Sequence, residues 1–166
     1  RQPLNVKYCI DEVVKMARLT FPKEIDVQVN LPSEDLIVNG NATQLHQVIM
    51  NLCINSRDAM KERGGILSVE AGYIVANEYI LQHFIDARPG TYVQITIRDT
   101  GKGIPAELQD KVFEPFFTTK ELGMGTGLGL SIVKKIIESH GGYINVESEP
   151  GKTIFEVTLP LQKTIS

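Results

Sequence analysis

Apolar residues recur along this chain with two periods, and the alternation between them predicts its elements. Ile10, Val13, Val14 and Ala17 fall at helical spacing, so Leu4 to Thr20 reads as an amphipathic helix stopped by Pro22. Ile25, Val27, Val29 and Leu31 alternate with Asp26, Gln28 and Asn30, the signature of a half-buried strand. Leu36, Ile37 and Val38 predict a second short strand, followed by a turn at Asn39-Gly40-Asn41. Asn41 followed by Gln44 resembles a capping box, so a helix is expected from Ala42 to about Arg63, closed by Gly64-Gly65. Strands follow at Ile66 to Val75 and Tyr92 to Arg98, with a short helical excursion between Asn77 and Arg88. Another helix is expected from Gly127 to His140, with Gly141 at its C′ position. Strands at Tyr143 to Glu147 and Ile154 to Leu159 close the chain around a turn at Glu149-Pro150-Gly151. The pattern predicts an α+β fold: a two-layer sandwich with a mixed sheet of about five strands and three longer helices on one face.

Two stretches depart from simple core patterning. In the second long helix, Leu45, Val48, Ile49, Leu52 and Ala59 form the main apolar face, while Met50, Cys53 and Ile54 add apolar surface on other sides. Asn51, Asn55 and Asp58 share a strip beside the core face, at about 100° per residue. Asparagine is a poor helix-interior residue and a half-buried amide needs a partner. The pair could be solvated, could join an internal hydrogen-bond network, or could serve a cation and a phosphate. The second stretch runs from Asp99 to Ser131. It opens on the glycine turn Asp99-Thr100-Gly101-Lys102-Gly103 and ends on Gly123, Gly125, Gly127 and Gly129, which run into the helix. Glycines bring backbone N–H groups close to an anion, and a helix start concentrates free N–H groups there. A phosphate held near Gly127 under a mobile lid is the expectation. Gly151-Lys152-Thr153 lacks the earlier glycine and the following helix of a P-loop, and the glycine cluster lacks the preceding strand and third glycine of a dinucleotide fingerprint.

Composition narrows the class. The 166 residues suit one domain, residues 1–166, and the 42% apolar and 22% charged content is that of a soluble globular chain. A net charge of −3 gives no footprint for nucleic acid. No apolar run approaches a membrane span, and Cys9 and Cys53 lack metal-ligand spacing, which predicts buried free thiols in a reducing compartment. The chain begins at Arg1 without methionine, as expected of a piece of something longer.

With these elements in place, the motifs resemble the catalytic and ATP-binding domain of sensor histidine kinases, in the superfamily of gyrase, Hsp90-type chaperones, histidine kinases and MutL. The resemblance runs from about Asn5 to Pro160, with four boxes in the family's order. They are an N box over Gln47 to Ala59, a first G box over Asp99 to Ile104, an F box over Phe113 to Phe117, and a second G box over Gly125 to Ser131. The resemblance implies a Bergerat-type fold with a flexible ATP lid at about 100–127, and ATP and Mg²⁺ as cofactors. It implies that Asp99 accepts a hydrogen bond from the adenine amino group, supported by Thr153, with Ala59, Asp58, Gly101, Gly103 and Ile104 around the nucleotide. Asn55 would ligate Mg²⁺, and the backbone of Gly125, Thr126, Gly127, Leu128 and Gly129 would wrap the phosphates. Asn51 stands where related ATPases place a water-activating glutamate, and an amide is no base. Lys120 either reaches the γ-phosphate across the closed lid or is a solvated lid lysine.

The implied activity is transfer of the ATP γ-phosphoryl to a histidine on a separate helical dimerisation domain, for relay to a response regulator. None of His46, His83 and His140 has the acceptor context; His46 is expected to pack on the core shoulder and His140 to carry a positive charge at a helix end. Two alternatives share the pocket: a serine or threonine kinase of the same superfamily, and an ATP-gated conformational module without kinase activity. The resemblance further implies a monomeric fragment of a homodimeric parent, a cytoplasmic location whether or not the parent is membrane-anchored, and no nucleic-acid partner.

Overall fold

A computed structural model describes residues 1–76, 78–83, 90–115 and 129–161. Their elements run β1 (Gln2–Asn5), α1 (Val6–Thr20), β2 (Ile25–Asn30), β3 (Ile37–Gly40), α2 (Ala42–Met60), β4 (Gly65–Val75), α3 (Glu78–His83), β5 (Thr91–Asp99), α4 (Ala106–Gln109), α5 (Gly129–Ser139), β6 (Tyr143–Glu149) and β7 (Lys152–Pro160). Five strands form one mixed sheet in the order β2-β4-β5-β7-β6. The β2–β4 pair is parallel and the other pairs are antiparallel. One face of the sheet supplies Leu67, Val69, Val93, Ile95, Ile97, Phe155 and Val157 to a single core, and α1, α2 and α5 supply Ile10, Val13, Leu45, Ile49, Leu52, Val133 and Ile137. The α+β sandwich expected from the periodicity is the observed architecture.

The first helix starts two residues later than its apolar pattern suggests. Asn5 Oδ1 accepts hydrogen bonds from Lys7 N and Leu36 N, both 3.2 Å, which caps α1 and leaves Leu4 in an extended segment. That segment, β1, pairs with β3 in a separate two-stranded sheet. The strand expected at Leu36–Val38 therefore belongs outside the main sheet. Val38 also bridges to Leu161, so the two ends of the described chain meet on β3. The predicted cap of α2 is present, with Asn41 Oδ1 accepting from Gln44 N at 3.0 Å. The helix ends at Met60, three residues before Arg63, and Gly64 follows with φ +73°. Gly141, with φ +73°, ends α5 in a Schellman motif: its N–H donates to Glu138 O, and Gly142 N–H donates to Ile137 O.

His140 corrects an expectation. It is only 5% exposed, and burial holds its ring below the ordinary pKa of 6.5, although the bond to Ile136 O opposes this. Nδ1 lies 2.8 Å from Ile136 O and so carries the proton. Nε2 accepts from Asn41 N at 3.1 Å. The ring is neutral because its second nitrogen must accept, and it stitches the end of α5 to the start of α2. Gly40 leaves the space: a Cβ there would lie 3.1 Å from His140 Cδ2. His46 instead sits partly exposed, with Nε2 3.8 Å from Glu12 Oε2. Both cysteines are buried free thiols, as expected, and burial pushes Cys53 up to about 12.

Because the folded pKa of His140 is lowered, the unfolded chain binds more protons once pH falls to about 6.5 and below. Stability should therefore decline as pH falls through 6.5 and level off below the folded pKa. Thermal melts across pH 5–8 check this. His140→Leu should lose that component of the slope and cost about 1–3 kcal/mol, because Asn41 N–H is left without its acceptor.

Candidate functional site

The pairing register of β5 carries the first clue. Val93, Ile95 and Ile97 all face the core, and the next position of the same parity is Asp99. Asp99 is 2% exposed and forms no ion pair among the described residues. Burial raises its pKa above 3.8, opposed by Ser56 and by the Gly101 N–H, which donates to Oδ1 at 2.8 Å. Ser56 Oγ is 1% exposed and closes no hydrogen bond within normal limits, yet it lies near enough to favour the charged carboxylate. The contact is a loose one. Across the ladder Asp99 pairs with Thr153, itself 3% exposed.

Glycine brings α2 against this strand end. A Cβ on Gly101 would lie 2.8 Å from Ala59 Cβ and 2.9 Å from Asp99 Oδ1. Lys102 N–H donates to Ala59 O at 3.3 Å. Asn51, Asn55 and Ala59 are spaced by four along α2, so the contact at Ala59 aligns both asparagines with the turn. Both are half-buried, and among the described residues no hydrogen bond engages either amide. Asp58 is half-buried with Oδ1 3.2 Å from the Arg57 guanidinium, which also lies over the Phe21 ring at 5.4 Å.

The turn after Asp99 is anchored on three sides. Thr100 Oγ1 accepts from Ile66 N at 3.0 Å, and Gly101 O accepts from Gly151 N at 2.9 Å. Gly103 has φ +84°, and a Cβ there would fall 2.5 Å from Glu149 O. Ile104 N–H donates to Ser148 Oγ at 2.8 Å, and Ile104 packs on the core. Beyond α4, Phe113 meets Phe155 edge to face at 6.3 Å, with Lys134 Nζ 5.9 Å from its ring centre. Gly129 opens α5, and among the described residues a Cβ added there would meet no atom within 4 Å. Lys120, Gly125, Thr126, Gly127 and Leu128 lie outside the described residues.

The structure thus brings Asp99, Thr153, Gly101, Gly103, Ile104, Ala59 and the asparagine line of α2 to one end of the sheet. Ser56 and Ser148 also stand there and were not among the expected residues. Serines carry no sequence signal of their own; Ser56 becomes visible only once α2 is laid against Asp99.

Comparison with known proteins gives the family. The histidine kinase-, DNA gyrase B-, and HSP90-like ATPase family matches residues 40–163. The chain is 44% identical to sensor kinase CckA of Brucella abortus over 87% of its own length and 15% of the relative's. It is 33% identical to sensory histidine kinase/phosphatase NtrB of Azospirillum brasilense, over 97% of its length and 40% of the relative's. The chain therefore spans well under half of these relatives. Its structure is similar to the catalytic domain of histidine kinase ThkA, with a TM-score of 0.77, 32% identity and 98% of each chain covered. The same kinase in complex with response regulator protein TrrA aligns with a TM-score of 0.71 over 41% of that chain.

Gly103→Ala should destabilise the chain by roughly 1–3 kcal/mol in urea unfolding, since a Cβ meets backbone at a positive φ. The same change at Gly151, where φ is also positive but no atom lies within 4 Å, should cost less.

Proposed function

The chain belongs to the histidine kinase-, DNA gyrase B-, and HSP90-like ATPase family, and we propose that it is the ATP-binding catalytic domain of a two-component sensor histidine kinase, passing the γ-phosphoryl to a histidine on a separate helical dimerisation domain. One observation carries this reading. A carboxylate at a core position, with no cation paired to it among the described residues, has given up hydration that neutral donors there replace. It is suited to accept from a ligand's N–H, as the adenine amino group offers.

Around it the neighbouring residues take roles their chemistry permits. Ala59 and Ile104 line the base, and Gly101 and Gly103 let the backbone approach it, with Asp58 alongside. Asn55 offers a neutral oxygen to Mg²⁺. No cluster of three acidic, histidine or cysteine side chains stands among the described residues. One amide oxygen fits a small hard cation that keeps waters and takes its other ligands from phosphate. When bound, the ion neutralises developing charge on the phosphates. Asn51 cannot take a proton, so water beside the γ-phosphate is not activated and transfer to a protein nucleophile competes better with hydrolysis. The lid over about 100–127, with Lys120 toward the γ-phosphate and the 125–129 backbone around the phosphates, completes the proposal. Its near end is the anchored turn at Thr100 to Ile104.

The acceptor histidine stands on another domain, in this reading, and the onward partner is a response regulator. No helix among the described residues is long and apolar enough to cross a membrane. A cytoplasmic setting belongs to the same proposal.

Two experiments test this. Asp99→Asn should weaken ATP binding by about a hundredfold in calorimetry. It should melt at or above wild type at neutral pH, because a raised carboxyl pKa means that stability falls as pH climbs from about 3.8 through the folded pKa, and an amide lacks that penalty. Second, radiolabelled ATP, the chain and a helical dimerisation domain should give an acid-labile phosphohistidine, with slow hydrolysis by the chain alone. An acid-stable product would favour a serine or threonine kinase, and rapid hydrolysis would remove the role given to Asn51.

A further inference from the structure

The row of side chains that α2 presents to the site does not stop at Asn51. Gln47, Asn51, Asn55 and Ala59 are spaced by four, each about 40° further round the helix than the last, so they follow one side of α2. Asn51 and Asn55 are half-buried, whereas Gln47 is exposed. Among the described residues no hydrogen bond engages the Gln47 amide.

Both ends of this row have a direction. Ala59 lies against Gly101 in the turn that follows Asp99, and Ala59 O accepts from Lys102 N–H, so the buried carboxylate is at the Ala59 end. The other end is fixed by α5. His140, just past the end of α5, accepts from Asn41 N–H at the start of α2, so these two packed helices run antiparallel. The 11 residues of α5, at about 1.5 Å each, bring Gly129 back to roughly the level of Asn51 and Leu52. In the nucleotide reading, on which this inference rests, the triphosphate therefore extends from Ala59 toward Asn51, with its last phosphate nearest the start of α2. A phosphoryl group moves with its attacking and leaving atoms roughly in line. The leaving oxygen lies back toward Ala59. The nucleophile comes from the opposite side, past Asn51, where Gln47 is the next side chain of the row.

We propose that Gln47 receives the acceptor histidine, its amide oxygen accepting the ring N–H opposite the attacking nitrogen. A neutral imidazole has one nitrogen with a free lone pair and one N–H. The lone pair forms the N–P bond as the bond from phosphorus to the β–γ bridging oxygen breaks, and ADP leaves with that electron pair. The N–H on the far side of the ring points away from phosphorus along the same line, toward Gln47. The ring gains positive charge in this step, and an amide oxygen aimed at its N–H stabilises that charge. The proton passes to water afterwards.

The 166-residue chain is assayed with radiolabelled ATP, Mg²⁺ and a helical dimerisation domain carrying one acceptor histidine, all at saturation, and ATP binding is measured separately by calorimetry. Gln47→Met keeps the length of the side chain and loses its oxygen. It should slow phosphohistidine formation about ten- to a hundredfold, with ATP affinity and melting temperature unchanged. Gln47→Glu, which keeps an acceptor oxygen, should transfer within about threefold of wild type. Unchanged transfer in Gln47→Met would overturn the inference. So would a parallel loss of ATP affinity, which would give Gln47 to the nucleotide, and so would an equal loss in Gln47→Glu, which would give the contact to the amide donors. Wild-type chain that binds ATP and yields no phosphohistidine would instead overturn the kinase reading, and this inference with it.

Discussion

Asp99 sits where a leucine or valine would suit the packing, and the surrounding structure follows from keeping a carboxylate there. Desolvation pushes it toward protonation, and among the described residues no arginine or lysine pairs with it to offset that push. A cation would hold the charge more firmly, but it would also occupy the acceptor. What stands there instead is a weak set of neutral groups: the Gly101 N–H and the unclosed Ser56 hydroxyl. The site is held short of satisfaction, which is the condition for a ligand to complete it.

That choice requires rigid surroundings. Every segment bordering Asp99 is fastened to another by a bond that does not touch the carboxylate. Thr100 holds β4, Lys102 holds α2, and Gly101 and Ile104 hold the β6–β7 hairpin. Gly101 and Gly103 matter because the backbone passes so close to Ala59 and Glu149 that a methyl group has no room. The asparagines of α2 gain their position from the same contact. The helix that buries Leu45, Val48, Ile49 and Leu52 in the core also presents its amides at the strand end.

Much of this was legible in the sequence because it depends on period and on glycine. The alternation of β5 and the helical stripe of α2 fixed both elements, and the first glycine box and the asparagines pointed to the candidate site that the end of β5 shares with α2. The misreadings arose where tertiary contact outweighed local pattern. Leu4 has a helical neighbour set, but Asn5 spends its side chain on two backbone N–H groups and starts the helix after it. His140 stands at a helix end where a positive charge would suit the dipole, yet burial and the Asn41 N–H demand the neutral ring. Ser148 bears no motif-like signal in isolation, since its meaning comes from Ile104, distant in sequence, and from Thr153 across a hairpin.

The small sheet built on β3 has its own consequence. β1 lies along one side of β3 and Leu161 bridges to Val38 of the same strand, so entry to and exit from the domain share a doorstep. A domain with adjoining entrances can be spliced into many hosts without altering its interior, and a new pair of ends cut in a surface loop leaves the old ones within reach of a short tether. A pull on the leading flank is received by the two-stranded ribbon, whereas one on the trailing flank reaches Leu161 at the end of β7, a strand of the five-stranded sheet that carries the buried carboxylate.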